Sequence, residues 1–319
     1  QSQTAMIPGL MRLLNIEQEN LVYIAETCGG GFGSKGGPYP IMAVPVLLSR
    51  QTGRPVMLRI TRAEEYGMGT ARAGFQGRLK MGFREDGRVL AVDLYIVNEN
   101  GPHTGWSDND SAADSVSILY QPTAMRYRGI PVETNTPPRG PQRGPGQNQM
   151  AEAVEPILSK AARQLGIDQV TIRRINAAGN DATIGGNQGP VTSAYQEEAL
   201  VQGAGLFNWE ERSARSGQRN GSKVTGIGIG QCFHSAGRNS YDGLVRITPD
   251  GMLHIHTGVG NLGTYSHTAT SRVAAEILKY DWENCIVVRG DSRQHLAWAP
   301  TQTGSNTSFT CTRTSYVAA

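Results

Sequence analysis

Gly29-Gly30-Gly31-Phe32-Gly33-Ser34-Lys35-Gly36-Gly37 is the stretch on which the fold reading turns. Before it, Asn20 to Glu26 is apolar enough to predict a strand. After it, Pro38 opens a predicted helix running to about Arg50, since proline suits a first helical turn. A glycine-rich turn between strand and helix lets bare main chain approach a ligand closely. Gly31, Gly33 and Gly36 fit the G-x-G-x-x-G spacing of dinucleotide-binding turns. That fingerprint needs an acidic residue about 20 positions on, at the end of a second strand. The next predicted strand, Val56 to Ile60, ends in Thr61-Arg62 instead. A nicotinamide dehydrogenase is thereby disfavoured, and a plain glycine turn stands as the alternative.

Two further loops repeat the pattern. Arg139-Gly140-Pro141-Gln142-Arg143-Gly144-Pro145-Gly146 precedes a strongly periodic helix from about Asn148 to Leu165, with Gly166 as its stop and Pro156 as an expected kink. Gly258-Val259-Gly260-Asn261-Leu262-Gly263-Thr264 precedes a helix over His267 to Leu278. A helix start offers free N–H donors and partial positive charge. Arginine adds a planar, permanently charged fork. Three such loops suggest one electron-rich ligand held by several backbone segments. Taken singly, such a loop also reads as a plain turn or solvated surface loop.

The remaining elements mix types. A short helix is expected over Pro8 to Ile16, and another from the N-cap Asp168 to Ile175. Gln76 to Arg84 and Arg88 to Val97 flank Glu85-Asp86-Gly87, and Leu244 to Thr248 and Met252 to Thr257 flank Pro249-Asp250-Gly251; both read as hairpins. A helix is expected near Tyr195 to Leu206 and a strand over Cys285 to Arg289. Residues 100–125 show no period and read as irregular structure, and the Thr-rich end shows no closing element. Hairpins in place of regular βαβ alternation predict an α+β, or irregular α/β, fold. The polar stretch 176–194 divides the chain into an expected first lobe, 1–190, and second lobe, 191–319.

Composition narrows the function. The 319 residues carry 30 basic and 27 acidic side chains, a balance that points away from nucleic acid as a partner. No apolar run is long enough for a membrane-spanning helix. Cys28, Cys232, Cys285 and Cys311 form no CxxC pair, so no zinc ribbon or iron–sulfur cluster is expected on this chain. The chain opens without Met and without a signal-like stretch, and is expected to be one piece of a larger catalytic unit.

Taken together, these loops resemble the molybdopterin-binding large subunit of the xanthine dehydrogenase and aldehyde oxidase family. GGGFGSKGG is similar to the family's GGGFGGK loop, and RGPGQNQ to its arginine loop. AEAVEPILSKAARQLGIDQVTIRRIN resembles its ExxxDxxAxxLGxDPxxxRxxN helix pair, with Ser159 in place of the aspartate. DGMLHIHTGVGNLGTYSHTATSRVAAEIL is similar to the DGxVxxxxGxxxxGQGxxTxxxQIxAExL stretch, with Asn261 or Thr264 in place of the glutamine.

The resemblance implies a two-lobed region that binds a molybdenum pterin, the cytosine dinucleotide form being one option. It implies hydroxylation of an aldehyde or N-heteroaromatic carbon with oxygen from water. Gln1, with Gln3 as a second register, stands where the family places a glutamine beside the metal's oxo ligand. Gly31, Phe32 and Gly33 match the loop facing the metal's ligands. Arg143, flanked by Gln142 and Gly144, matches the arginine beside substrate and metal. Gly260, Asn261, Gly263 and Thr264 match a pterin contact. The metal is held through the pterin, with no side-chain ligand. Electrons leave through iron–sulfur centres on a partner subunit or domain, with a flavin subunit as a further partner. The second lobe is expected to be incomplete at its C-terminus, where the family carries its base glutamate. A non-catalytic cofactor-binding or assembly subunit is the alternative. No cysteine lies between Cys28 and Cys232, which disfavours a copper-bearing carbon monoxide dehydrogenase, and the glycines at 36 and 37 disfavour a purine substrate.

Overall fold

The structure, a computed structural model, describes residues 2–103, 106–184, 189–237 and 242–319. Gln1 lies outside the described residues. The chain forms two compact units, one of Gln1–Thr70 with Ser235–Ala319, the other of Ala71–His234. This partition differs from the chain-order lobes 1–190 and 191–319, because the first unit draws on both ends of the chain.

In that first unit, helix α1 (Gln3–Leu14) buries Met6, Ile7, Leu10 and Leu14 along one stripe. The segment predicted as a strand over Asn20 to Glu26 makes only an isolated bridge, Ile24 with Asp291. Its main chain is held by a turn instead: Ala25 N–H donates to Gly290 O at 2.8 Å and Ser292 N–H to Tyr23 O at 3.1 Å. Helix α2 (Ala43–Thr52) follows a short 3-10 turn at Pro40–Met42. The expected strand Val56 to Ile60 joins no ladder and leads directly into α3 (Arg62–Met68), which Thr61 and Glu64 cap reciprocally.

The second unit is built on one sheet. Strands β1 (Phe75–Phe83) and β2 (Val89–Glu99) pair antiparallel across the predicted turn. The chain then enters α4 (Asn109–Tyr120) and returns as β3 (Ala124–Val132), parallel to β2. Val92, Leu94 and Ile96 alternate inward from β2 and pack with Val116 and Leu119 of α4. The long helix α5 (Gln147–Leu165) adds Met150, Val154 and Leu158 to this core. It runs unbroken through Pro156. Helix α6 (Gln169–Ile175) begins at Asp168, whose carboxylate accepts from Val170 N–H at 2.8 Å and Thr171 N–H at 3.1 Å. Helices α7 (Gln196–Phe207) and α8 (Trp209–Ala214) follow.

The helix-pair motif has a structural purpose here. Arg173 is fully buried and donates to Glu155 at 2.8 Å, while Tyr120 donates to the other carboxylate oxygen. Burial still pushes the Glu155 carboxyl up, against the pull of Arg173. Asn176 accepts from Val89 N–H at 2.8 Å and donates to Gly87 O at 2.9 Å, pinning the β1–β2 turn.

Back in the first unit, β4 (Leu244–Ile247) and β5 (Leu253–His256) form the second predicted hairpin. Helix α9 (Ser266–Leu278) crosses to β6 (Cys285–Val288), parallel to β5. Leu253 and Ile255 pack on Ala274 and Ala275. The Thr-rich end closes as helix α10 (Asn306–Ala318). Each unit thus carries hairpin, helix, parallel strand and helix in that order. The fold is mixed α and β, with one parallel pair in each three-stranded sheet.

Candidate functional site

In the first unit, segments far apart in sequence meet. Cys28 N–H donates to Asn261 O at 2.8 Å, joining the base of the Gly29–Gly37 loop to the Gly258–Thr264 loop. Gln3 N–H donates to Gly258 O at 2.9 Å. A third segment that sequence reasoning missed joins them: Gly260 N–H donates to Gln302 Oε1 at 2.9 Å. Thr4 ties the same segment down, accepting from Ala299 N–H at 2.9 Å. Gly258 admits no side chain, since a Cβ there would lie 2.7 Å from the carbonyl oxygen of Ala297. The available signal was another glycine before a helix, Gly304, with φ 60°.

The GGGFG loop itself is a tight turn. Ser34 N–H donates to Gly31 O at 2.9 Å, and Lys35 Nζ to Cys28 O at 2.6 Å. Gly33 has φ 126° and Phe32 φ 55°. A left-handed Phe is costly, about 1–3 kcal/mol for a residue held in such a region. Phe32 is also 61% exposed, while Gly31 is buried. In the other loop, Asn261 Oδ1 accepts from Gly263 N–H at 3.0 Å, Gly263 has φ 84°, and Thr264 donates to Ser266 Oγ at 3.3 Å. Among the described residues, nothing accepts from the N–H groups of Gly31, Gly33, Asn261 or Leu262.

Helices α9 and α10 bury polar atoms that also lack partners, His267 Nδ1 and Asn306 Oδ1. Burial, then Arg289, pushes the His267 imidazole below its ordinary pKa. Gln3, the second register for the metal-side glutamine, is fully buried and otherwise engaged. Its Oε1 accepts from Gly290 N–H at 2.8 Å and its Nε2 donates to Ala25 O at 3.4 Å.

In the second unit, the arginine loop is rigidly shaped. The carbonyl of Arg143 accepts from Arg72 at 2.6 Å and from Asn148 Nδ2 at 3.0 Å. Gly144 has φ 71° and Gly146 φ 80°, and a Cβ on Gly146 would run into the carbonyl of Asp108. Gln149 accepts from Gly146 N–H at 3.1 Å. The Arg143 side chain is exposed and Gln142 is half-buried beside it. Arg72 lay outside the sequence reading because its role is visible only once the chain folds back.

Among the described residues, no group of three His, Cys, Asp or Glu side chains could hold a metal, and no helix is long and apolar enough to cross a membrane. At the end of β5, His256 places Nδ1 3.0 Å from Gln294 O.

The fold brings glycine-rich turns from distant parts of the chain together in the first unit, with main-chain N–H groups left unpaired on two of them. Sequence models of the molybdopterin cofactor-binding domain match residues 1–177 and 202–319, and the chain belongs to that family. It is 30% identical over 335 residues to the xanthine dehydrogenase molybdenum-binding subunit of Escherichia coli O157:H7, covering 99% of this chain and 43% of the relative. It is 28% identical to the aldehyde oxidoreductase molybdenum-binding subunit PaoC of the same organism, covering 94% of this chain and 40% of the relative. The chain therefore spans less than half the length of these relatives. The fold matches the aldehyde oxidoreductase of Desulfovibrio desulfuricans ATCC 27774, with TM-score 0.85, 20% identity, and coverage of 99% of this chain and 36% of that one. It also matches quinoline 2-oxidoreductase of Pseudomonas putida 86, with TM-score 0.81, 22% identity, and coverage of 99% and 43%.

Proposed function

We propose that this chain supplies the cofactor-holding part of a molybdenum hydroxylase that oxidises an aldehyde or N-heteroaromatic carbon with oxygen from water. The observation that carries it is the set of unpartnered main-chain N–H groups on two loops joined through Cys28 and Asn261. When bound, a molybdenum pterin supplies the two-electron redox chemistry.

The protein's share is binding, orientation and electrostatics. Gly31, Gly33, Asn261 and Leu262 would present N–H donors to the cofactor, with Gly260 and Gly263 shaping the second loop. Phe32 would wall the reacting centre. Arg143 would place a permanent cation where negative charge develops on substrate oxygen or nitrogen, with Gln142 and Gly144 setting its direction. Arg72 and Asn148 hold the Arg143 carbonyl and so fix the turn before substrate arrives. Iron–sulfur centres on a partner subunit or domain would take the electrons, with a flavin subunit as a further acceptor.

The test is Arg143→Ala in the native complex, assayed on aldehydes and heterocycles beside metal analysis. The expected result is about one molybdenum per copy retained and turnover reduced about 100- to 1,000-fold, the usual cost of removing one such donor. Retained metal with undiminished turnover overturns the role of Arg143. A native complex that binds the pterin but oxidises neither substrate class favours the assembly-subunit reading.

A further inference from the structure

Asp108 stands immediately before α4, where an aspartate ordinarily accepts from the first main-chain N–H groups of the helix. Here it makes no such cap bond. Its carboxylate instead accepts from Trp106 Nε1 at 2.5 Å and from Gln149 Nε2 at 3.4 Å. The residue is fully buried. Burial pushes the carboxyl up, against its two donors and the charge of Arg72. A buried carboxylate is costly, and helix capping does not account for this one.

Two of the groups that favour the carboxylate act on the arginine loop. Gln149 Oε1 accepts from Gly146 N–H at 3.1 Å, while its Nε2 also donates to Ala73 O at 3.1 Å. Arg72, next to Ala73 in the chain, donates to the carbonyls of Arg143 at 2.6 Å and Gly144 at 3.2 Å. The main chain of Asp108 meets the loop as well, since a Cβ on Gly146 would collide with its carbonyl oxygen. One residue thus abuts the end of the loop, reaches Gly146 N–H through Gln149, and attracts the cation that grips Arg143 and Gly144. A neutral side chain of the same shape would fill the space without the desolvation cost; what the charge adds is its pull on Arg72.

We propose that Asp108 is a positioning residue for Arg143, its buried carboxylate holding Arg72 and Gln149 so that residues 143–146 keep one shape. The role rests on the reading given above, in which Arg143 acts on the substrate. A cation aimed in advance needs no reorganisation as charge develops. A misplacement of about 1 Å in such a group can cost about 100-fold in rate.

The test is Asp108→Asn, which keeps the size and removes the charge. In hydrogen–deuterium exchange on the full-length subunit, the amides of Gly146, Asn148 and Met150 are expected to exchange at least about tenfold faster than in the parent, with those of Leu94 and Ile96 in β2 changed less than about twofold. In the native complex, assayed with benzaldehyde and quinoline, kcat is expected to fall at least about tenfold with molybdenum retained. In an Arg143→Ala background the same change should cost less than about twofold more, because a residue acting through Arg143 has nothing left to aim. Gln149→Met cuts the link to Gly146 and leaves Asp108 in place; it should give the same pattern, and it decides the matter where Asp108→Asn does not fold. Unchanged exchange at Gly146 overturns the proposal. A full loss added on top of Arg143→Ala also overturns it, by marking a general structural role. Parent-like turnover of Arg143→Ala, or a parent complex that oxidises neither substrate, overturns the reading of Arg143 and the proposal with it.

Discussion

His267 shows how one side chain links the candidate site to stability. It is buried at the start of α9, its Nδ1 lacks a partner, and both burial and Arg289 disfavour its charged form. The folded pKa therefore lies below the ordinary 6.5. The unfolded chain takes up the proton more readily, so His267 contributes stability fully above that value and loses it as pH falls. Thermal unfolding between about pH 7.5 and 5 should show a declining midpoint, and His267→Gln should flatten the decline over that window. An unaltered slope in the variant would remove His267 from the account. At this scale the sequence was informative where glycine was obligatory. Gly144, Gly146 and Gly33 all adopt positive φ within loops that their spacing had singled out. It was silent on Gln302 and Arg72, ordinary polar residues whose importance comes from partners distant along the chain.

Elements were legible in proportion to how cleanly their apolar residues repeat. Helices α5, α6, α7 and α9 and both hairpins lie where periodicity and turn residues predict them. Helix α4 was hidden because its buried face includes Ser115 and Ser117, so Asn-Asp-Ser-Ala-Ala-Asp-Ser reads as a loop. Strand β3 was hidden by Arg126, Arg128, Gly129 and Pro131, tolerable on an edge strand bonded on one side only. Helix α10 buries Asn306, Thr310, Cys311 and Ser315, a mostly polar face with little apolar signature. Strand propensity without a ladder misled at Val56 to Ile60 and at Asn20 to Glu26. Asp168, by contrast, was readable and carries measurable weight. It caps α6 and also accepts from Trp209 Nε1 at 2.8 Å. Asp168→Ala should lower stability by about 1–2 kcal/mol in chemical denaturation, while Asp168→Asn should recover most of it.

The whole molecule repeats one plan. In each unit a hairpin is followed by a helix and a strand parallel to the hairpin's second strand. Loops leaving the carboxyl ends of those parallel strands carry the candidate site residues: Arg143 follows β3, Gly258 to Thr264 follow β5, and Gln302 follows β6. Open sheets with parallel strands commonly bind ligands at that end. The motif order along the chain was legible because local spacing suffices to find glycine turns before helices. The gathering of chain ends into one unit was not, since nothing local announces that Gln3 will bond to Gly258.

The hairpin turns occupy the other end of each sheet. Pro249-Asp250-Gly251 is exposed, and a Cβ added at Gly251 would meet no other atom. A short flexible insertion between Asp250 and Gly251 should leave the unfolding midpoint within a few degrees of the parent and molybdenum content unchanged in the full subunit. The same insertion after Asn261 should deplete the metal. A fluorophore or affinity handle placed at the first position would then report on assembly without disturbing the loops proposed to hold the pterin. The architecture thus supplies its own attachment point for single-molecule work.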